Sequence, residues 1–259
     1  AAALVVRLAT VRFGLPGLND PDELMFEMGA LRMLRGATLN PGWFGHPATT
    51  TMYVLVLTDV AGFAAAVVSG QAASVRAFGE LVYADPSWMI LPGRVAMVLF
   101  ALASIALTFA LARRFFGATT GLVAAALLAA NPVHAAWSQV IRSDMMACVF
   151  MLLCLRASVA IAEAGSRRAY LSAALWLGLA IATKWPFALS ALAIGAATWH
   201  AVRAGVIAPR RGIARLLASG AAAMGVLVLV SPYLLIDYPT VLRHVAGEGQ
   251  AAHLGATGG

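Results

Sequence analysis

At 259 residues, 61% hydrophobic and only 11% charged, with a mean hydropathy of +0.85, the chain is too apolar for a soluble domain, where about 25% of residues are charged. Its net charge of +7 is spread over arginine-bearing loops. That excludes a nucleic-acid footprint and leaves a membrane topology signal, with some attraction for anionic lipid. Runs such as GLVAAALLAANPVHAAW (121–137) and ASGAAAMGVLVLVSPYLLI (218–236) are apolar on every side, so a bilayer is their natural solvent. The fold class is all-α: a polytopic transmembrane helix bundle with a long outer loop.

In chain order, residues 1–13 read as the exit end of a first crossing. LPGLNDPDELMFEMGALRMLRG then leads into an amphipathic helix at about 21–35, and TLNPGWFGHP (38–47) is a loop that cannot continue it. The stretch 48–70 is long enough to span but is interrupted by Asp59 and Thr49–Thr51. Crossings follow at about 95–112, 118–136, 145–162, 169–183, 186–204 and 213–233. Cys148 and Cys154 fall on different faces of one of them and read as plain core cysteines. The chain opens at Ala1 inside an apolar stretch and stops at Gly259 in a polar loop. It reads as the N-terminal transmembrane catalytic portion of a longer protein: an outer loop at 14–93, about six crossings in 94–237, and an outer loop at 238–259.

The loops between crossings are of two kinds. One set carries Arg113–Arg114, Arg167–Arg168, and Arg210–Arg211 with Arg215; the alternate set carries Arg142 with Asp144, then Lys184, then Asp237. Arginine on every second turn marks a cytoplasmic face. Laying 48–70 along the membrane surface puts every acidic motif and Lys184, the only lysine, on the opposite face. Residues 14–93 then form one outer loop with interfacial helices.

Four groups of residues are candidates for chemistry. In Asn19-Asp20-Pro21-Asp22-Glu23, Asp20 suits a helix N-cap, Pro21 the first helical position and Glu23 a capping box. Capping requires no third acid, so Asp22 is in surplus, and capping and catalysis are compatible here. His46 is a substrate contact or an ordinary interfacial histidine. Arg142 and Asp144 read either as a local salt bridge with an N-cap or as a phosphate holder with its orienting acid. Lys184, before helix-breaking Pro186, reads as an interfacial anchor or as a point charge for a phosphate. Asp237, with His244 and His253, belongs to the same face.

DPDELMFEMGALRMLRG followed by GHPATTTMYVLVL resembles the outer loop of GT-C type membrane glycosyltransferases, and more narrowly the protein mannosyltransferase and aminoarabinose transferase group. RVAMVLFALASIALTFALARRFFG, ALLAANPVHAAWSQVIRSDMMACVFMLL, GLAIATKWPFAL and SPYLLIDYPTVLRH follow in the family's order, so the resemblance covers nearly the whole chain. Where the family has a second proline and a hydrophobic residue after His-Pro, this chain has Ala48 and Thr49. The resemblance implies transfer of a sugar from a polyprenyl-phosphate donor to a hydroxyl acceptor, with inversion. It implies a bacterial plasma membrane, with the site facing the periplasm or exterior. It makes Asp22 the general base and Glu23 a supporting acid, with His46, Arg142, Asp144, Lys184 and Asp237 on the substrates. No cofactor is implied with certainty; a divalent cation near Asp20, Asp22 and Glu23 is left open, without ligand geometry. A secondary transporter is the rival reading, favoured by the proline-broken crossings but lacking an inverted repeat.

Overall fold

The computed structural model describes residues 2–17, 20–45 and 47–248, and all regular structure among them is helical. The elements are α1 (Ala2–Thr10), α2 (Pro21–Gly36), α3 (Thr49–Val68), α4 (Val75–Ala84), α5 (Ser87–Phe116), α6 (Ala118–Ala130) and α7 (Pro132–Trp137). They continue as α8 (Asp144–Ala164), α9 (Arg167–Thr183), a 3₁₀ turn (Trp185–Ser190), α10 (Ala191–Arg203), α11 (Pro209–Val230), α12 (Tyr233–Ile236) and α13 (Tyr238–Glu248). Among the described residues α3, α5, α8 and α11 are long and apolar enough to cross a membrane.

Local chemistry sets the breaks. The apolar run 118–136 becomes two helices because Asn131 leaves helical geometry and accepts from His134 N, while Pro132 opens α7. Pro186 opens the 3₁₀ turn after Lys184, whose backbone is extended. Asp20 caps α2 as its position suggests, accepting from Asp22 N at 3.0 Å.

Helix α9 packs between α8 and α11, and their side chains form the largest core cluster, including Ile161, Tyr170 and Leu177. Gly178 makes this close approach possible: a Cβ there would lie 2.6 Å from the Ala223 carbonyl oxygen on α11. A second cluster joins Phe26 and Met33 of α2 to Met52 and Leu55 of α3 and Ile90 of α5. Helices α5 and α8 run in the same direction, because Arg114 near the end of α5 donates to Glu163 near the end of α8. Their N-termini share the opposite end of the bundle with the C-terminus of α9, where Lys184 meets Asp144.

Both halves of α3 touch that latter end. At its start, Ala48 N donates to the Thr183 carbonyl (3.2 Å) and Thr50 Oγ1 is 2.6 Å from Thr183 Oγ1. Farther along, Gly62 lies under the Trp88 carbonyl, within the first turn of α5. Midway along α5, between Arg94 and Arg114, buried Arg7 donates to His134 Nδ1 (2.9 Å), and His134 Nε2 lies 2.9 Å from Ser104 Oγ. Arginine only donates, so Nδ1 accepts and the imidazole proton sits on Nε2. This chain of contacts pins α1 to α5 and α7.

Candidate functional site

The cap and first turn of α2 carry three acids, and the structure gives each a different task. Asp20 caps the helix and also meets Arg142, whose Nη2 lies 3.1 Å from Asp20 Oδ2. Asp22 Oδ2 lies 2.7 Å from Arg142 Nη1, with the Asp22 side chain 34% exposed. Glu23 is fully buried. Its carboxylate accepts from Arg94 Nε (2.7 Å), Arg94 Nη2 (2.6 Å) and Ile141 N (2.9 Å). Glu23 therefore does not close a capping box. It is bound bidentately by Arg94, which also donates to the carbonyls of Val11 and Phe13. This fork locks α2 to α5 and to the residue before Arg142.

Arg142 and Asp144 do not pair with each other. Arg142 turns to the acids of α2, and its guanidinium lies over the Trp137 ring at 4.1 Å from the centroid. Asp144 opens α8 and holds Lys184, with Nζ at 2.8 and 2.9 Å from its two oxygens. Neither pair is sealed: the Lys184 side chain is 22% exposed. Beside Lys184, the indole Nε1 of Trp185 is buried without an acceptor among the described residues. A donor left so is costly unless a ligand meets it.

Next to this pair an apolar groove of about 470 Å³ runs between α3, α8, α9 and α11, lined among others by Tyr53, Met146, Phe150, Leu179 and Leu229. Thr50, which lines the groove, lies 2.6 Å from the Oγ1 of Thr183, the residue before Lys184, so the groove runs close to the polar pair. Asp237 lies elsewhere: it lines a cavity of about 320 Å³ with Arg32, Thr38 and Asn40. No hydrogen bond or ion pair joins it to the Arg142 or Lys184 pairs among the described residues. His244 Nδ1 accepts from Phe44 N at 3.2 Å, tying α13 to the outer loop. His46 and His253 lie outside the described residues.

Asp20, Asp22 and Glu23 do not converge on a cation. They face Arg142 and Arg94, and among the described residues no group of three candidate metal ligands is assembled.

One turn beyond Glu23, Glu27 is fully buried against Asp59 of α3, and no N–H or O–H among the described residues reaches the four carboxyl oxygens. Burial first, then the facing Asp59 carboxyl and the nearby Glu23, push Glu27 well above the usual carboxylate range. Two carboxyls so placed repel when both are ionised, and the raised Glu27 favours one of them carrying a proton. The pair explains the interruption of 48–70 by Asp59: the acid is one of the contacts of α3 with α2.

Comparison with known proteins extends the geometry. No curated protein sequence and no solved structure matches the chain. A family model for dolichyl-phosphate-mannose-protein mannosyltransferases matches residues 77–236, from α4 to the end of α12 and including Arg94, Arg142, Asp144 and Lys184. The acidic turn of α2 precedes the matched segment. With more than half of its residues matched, the chain belongs to the dolichyl-phosphate-mannose-protein mannosyltransferase family, membrane glycosyltransferases that use polyprenyl-phosphate sugar donors.

Proposed function

We propose that the chain transfers a hexosyl or pentosyl group from a polyprenyl-phosphate donor to a hydroxyl acceptor, with inversion, on the non-cytoplasmic face of a bacterial plasma membrane. The observation that carries this reading is the turn Arg142-Ser143-Asp144. One end of it holds Asp22 and the other holds Lys184. A carboxylate able to take a proton and a cation able to meet a phosphate are thus fixed by the same turn, with an apolar groove close by, reached through Thr50 and Thr183. In the reaction Asp22 takes the acceptor hydroxyl proton as the acceptor oxygen bonds to the anomeric carbon. The bond from that carbon to the phosphate oxygen breaks, and its electron pair leaves with the polyprenyl phosphate. Lys184 offsets the charge that develops there. The groove takes the first prenyl units. Glu23 acts through Arg94 as a positioning residue. Family membership favours this reading over transport.

Sidedness rests on charge and packing. The arginine loops mark the cytoplasmic end. Helix α3 has the length of a crossing, yet its first turn meets Thr183 and its second half meets Trp88, both at the acidic end of the bundle. That supports α3 lying across the outer end, with residues 14–93 as one outer loop and six crossings after it.

The test uses membrane vesicles containing the full-length protein, a labelled polyprenyl-phosphate mannose and a membrane-impermeant hydroxyl acceptor. Label is expected to reach the acceptor in right-side-out vesicles and not in sealed inverted ones. Lys184→Met is expected to lower donor affinity and turnover together, and Lys184→Arg to restore part of both, since the charge returns without the ammonium's shape. Transfer from a nucleotide sugar alone, or full activity in Lys184→Met, would overturn the assignment.

A further inference from the structure

The arginine-bearing end of the bundle holds a cavity that sugar transfer does not use. It has a volume of about 350 Å³ and is lined by Phe109, Arg113 and Arg114 of α5 and by Arg156 of α8. Arg156 is the unusual member. It stands eight residues before the end of α8, so roughly 12 Å inside that end at about 1.5 Å per residue. Its side chain is exposed on the outside of a helix read as membrane-spanning. A charged side chain at that depth is expensive unless an anion or water meets it, and so is a functional-site candidate.

No acid within the described residues takes that part. Both oxygens of Glu163, on the same face of α8 and about two turns nearer the end, accept from Arg114. Arg113 lines the cavity beside Phe109, with its guanidinium 5.9 Å from the ring centroid. Arg113 and Arg156 have no carboxylate partner among the described residues. The cavity thus carries a surplus of positive charge, and exposed Phe115, Phe116 and Leu122 stand around this end of the helices. Its volume suits a headgroup, and the apolar surroundings suit chains.

We propose that this cavity binds the phosphate of an anionic membrane lipid, with the forks of Arg113 and Arg156 on its oxygens and its chains along α5 and α8. Guanidinium groups match phosphate oxygens bidentately, and the long Arg156 side chain snorkels from its depth on α8 toward the level of a lipid headgroup. The chemistry is shared by an anionic phospholipid and by a polyprenyl phosphate in the same leaflet.

The experiment is native mass spectrometry of the full-length protein, delipidated in detergent and titrated separately with phosphatidylglycerol, phosphatidylcholine and a polyprenyl phosphate. Phosphatidylglycerol is expected to bind more tightly than phosphatidylcholine. Arg156→Met is expected to weaken it about fivefold, the usual share of one membrane-facing cation, and Arg156→Lys to recover part of that loss, since charge returns without the fork. Arg113→Gln, at the helix end, is expected to act in the same direction and serves if Arg156→Met does not fold. Arginine-dependent binding of polyprenyl phosphate in place of phosphatidylglycerol supports the site and names the carrier as its occupant. Unchanged affinity for both anionic lipids in the folded variants, or no preference over phosphatidylcholine, overturns it. No sugar transfer enters the readout, so the outcome is independent of the reaction proposed above.

Discussion

Asp22→Asn in the full-length protein is expected to abolish sugar transfer while donor binding and folding survive. Helix α2 keeps its cap, because the cap is Asp20. Arg142 keeps Asp20 as an ionic partner and its place over Trp137. The amide fills the same volume but cannot accept the acceptor's proton, and loss of a general base costs about 10²–10⁴ in rate. Asp20→Asn is the control. Asparagine caps as well as aspartate, so that variant loses charge against Arg142 but not the helix start, and its effect is expected to be far smaller. Single-turnover rates and donor-binding isotherms on both variants check the contrast. Near-normal turnover in Asp22→Asn would remove the base assignment.

The second large effect is on stability. Arg94 and Glu23 are both buried to the last percent, with side-chain exposures of 1% and 0%. Arg94→Met leaves the Glu23 carboxylate with a single donor, Ile141 N, and strips the Val11 and Phe13 carbonyls of theirs. Removing one member of a buried ion pair costs about 3–5 kcal/mol, a large part of a domain's stability. We expect a strong loss of folded protein and of thermal stability in detergent. Arg94→Met with Glu23→Gln is expected to be more stable than Arg94→Met alone, because no uncompensated charge stays buried. If the double variant is no better than the single one, the fork is not what joins α2 to α5.

What the sequence made legible was local. Asp20 as cap and Pro21 as first helical residue follow from short-range rules, and the structure has both. Family, helical class and the membrane character were legible from hydropathy and ordered motifs. The partners were not. Glu23 looks like a capping-box acid until Arg94, 71 residues away, is folded against it. Arg142 and Asp144 look like a local pair, whereas the turn between them sends one to α2 and the other to Lys184. Asp59 reads as a flaw in an apolar stretch because a carboxyl–carboxyl contact needs a proton that no pattern displays. The break at Asn131–Pro132 was written in cap chemistry, but an apolar run hides it.

The proposed single displacement, with Asp22 as base and Lys184 on the leaving phosphate, has a direct stereochemical consequence. A single displacement inverts that carbon, and a double displacement through an enzyme-bound sugar retains it. The decisive measurement is the anomeric configuration of the glycoside formed from a polyprenyl-phosphate sugar of known configuration, read by NMR from the early product of the full-length wild-type protein. Inversion is the result expected; retention would contradict the arrangement of base and leaving group described here.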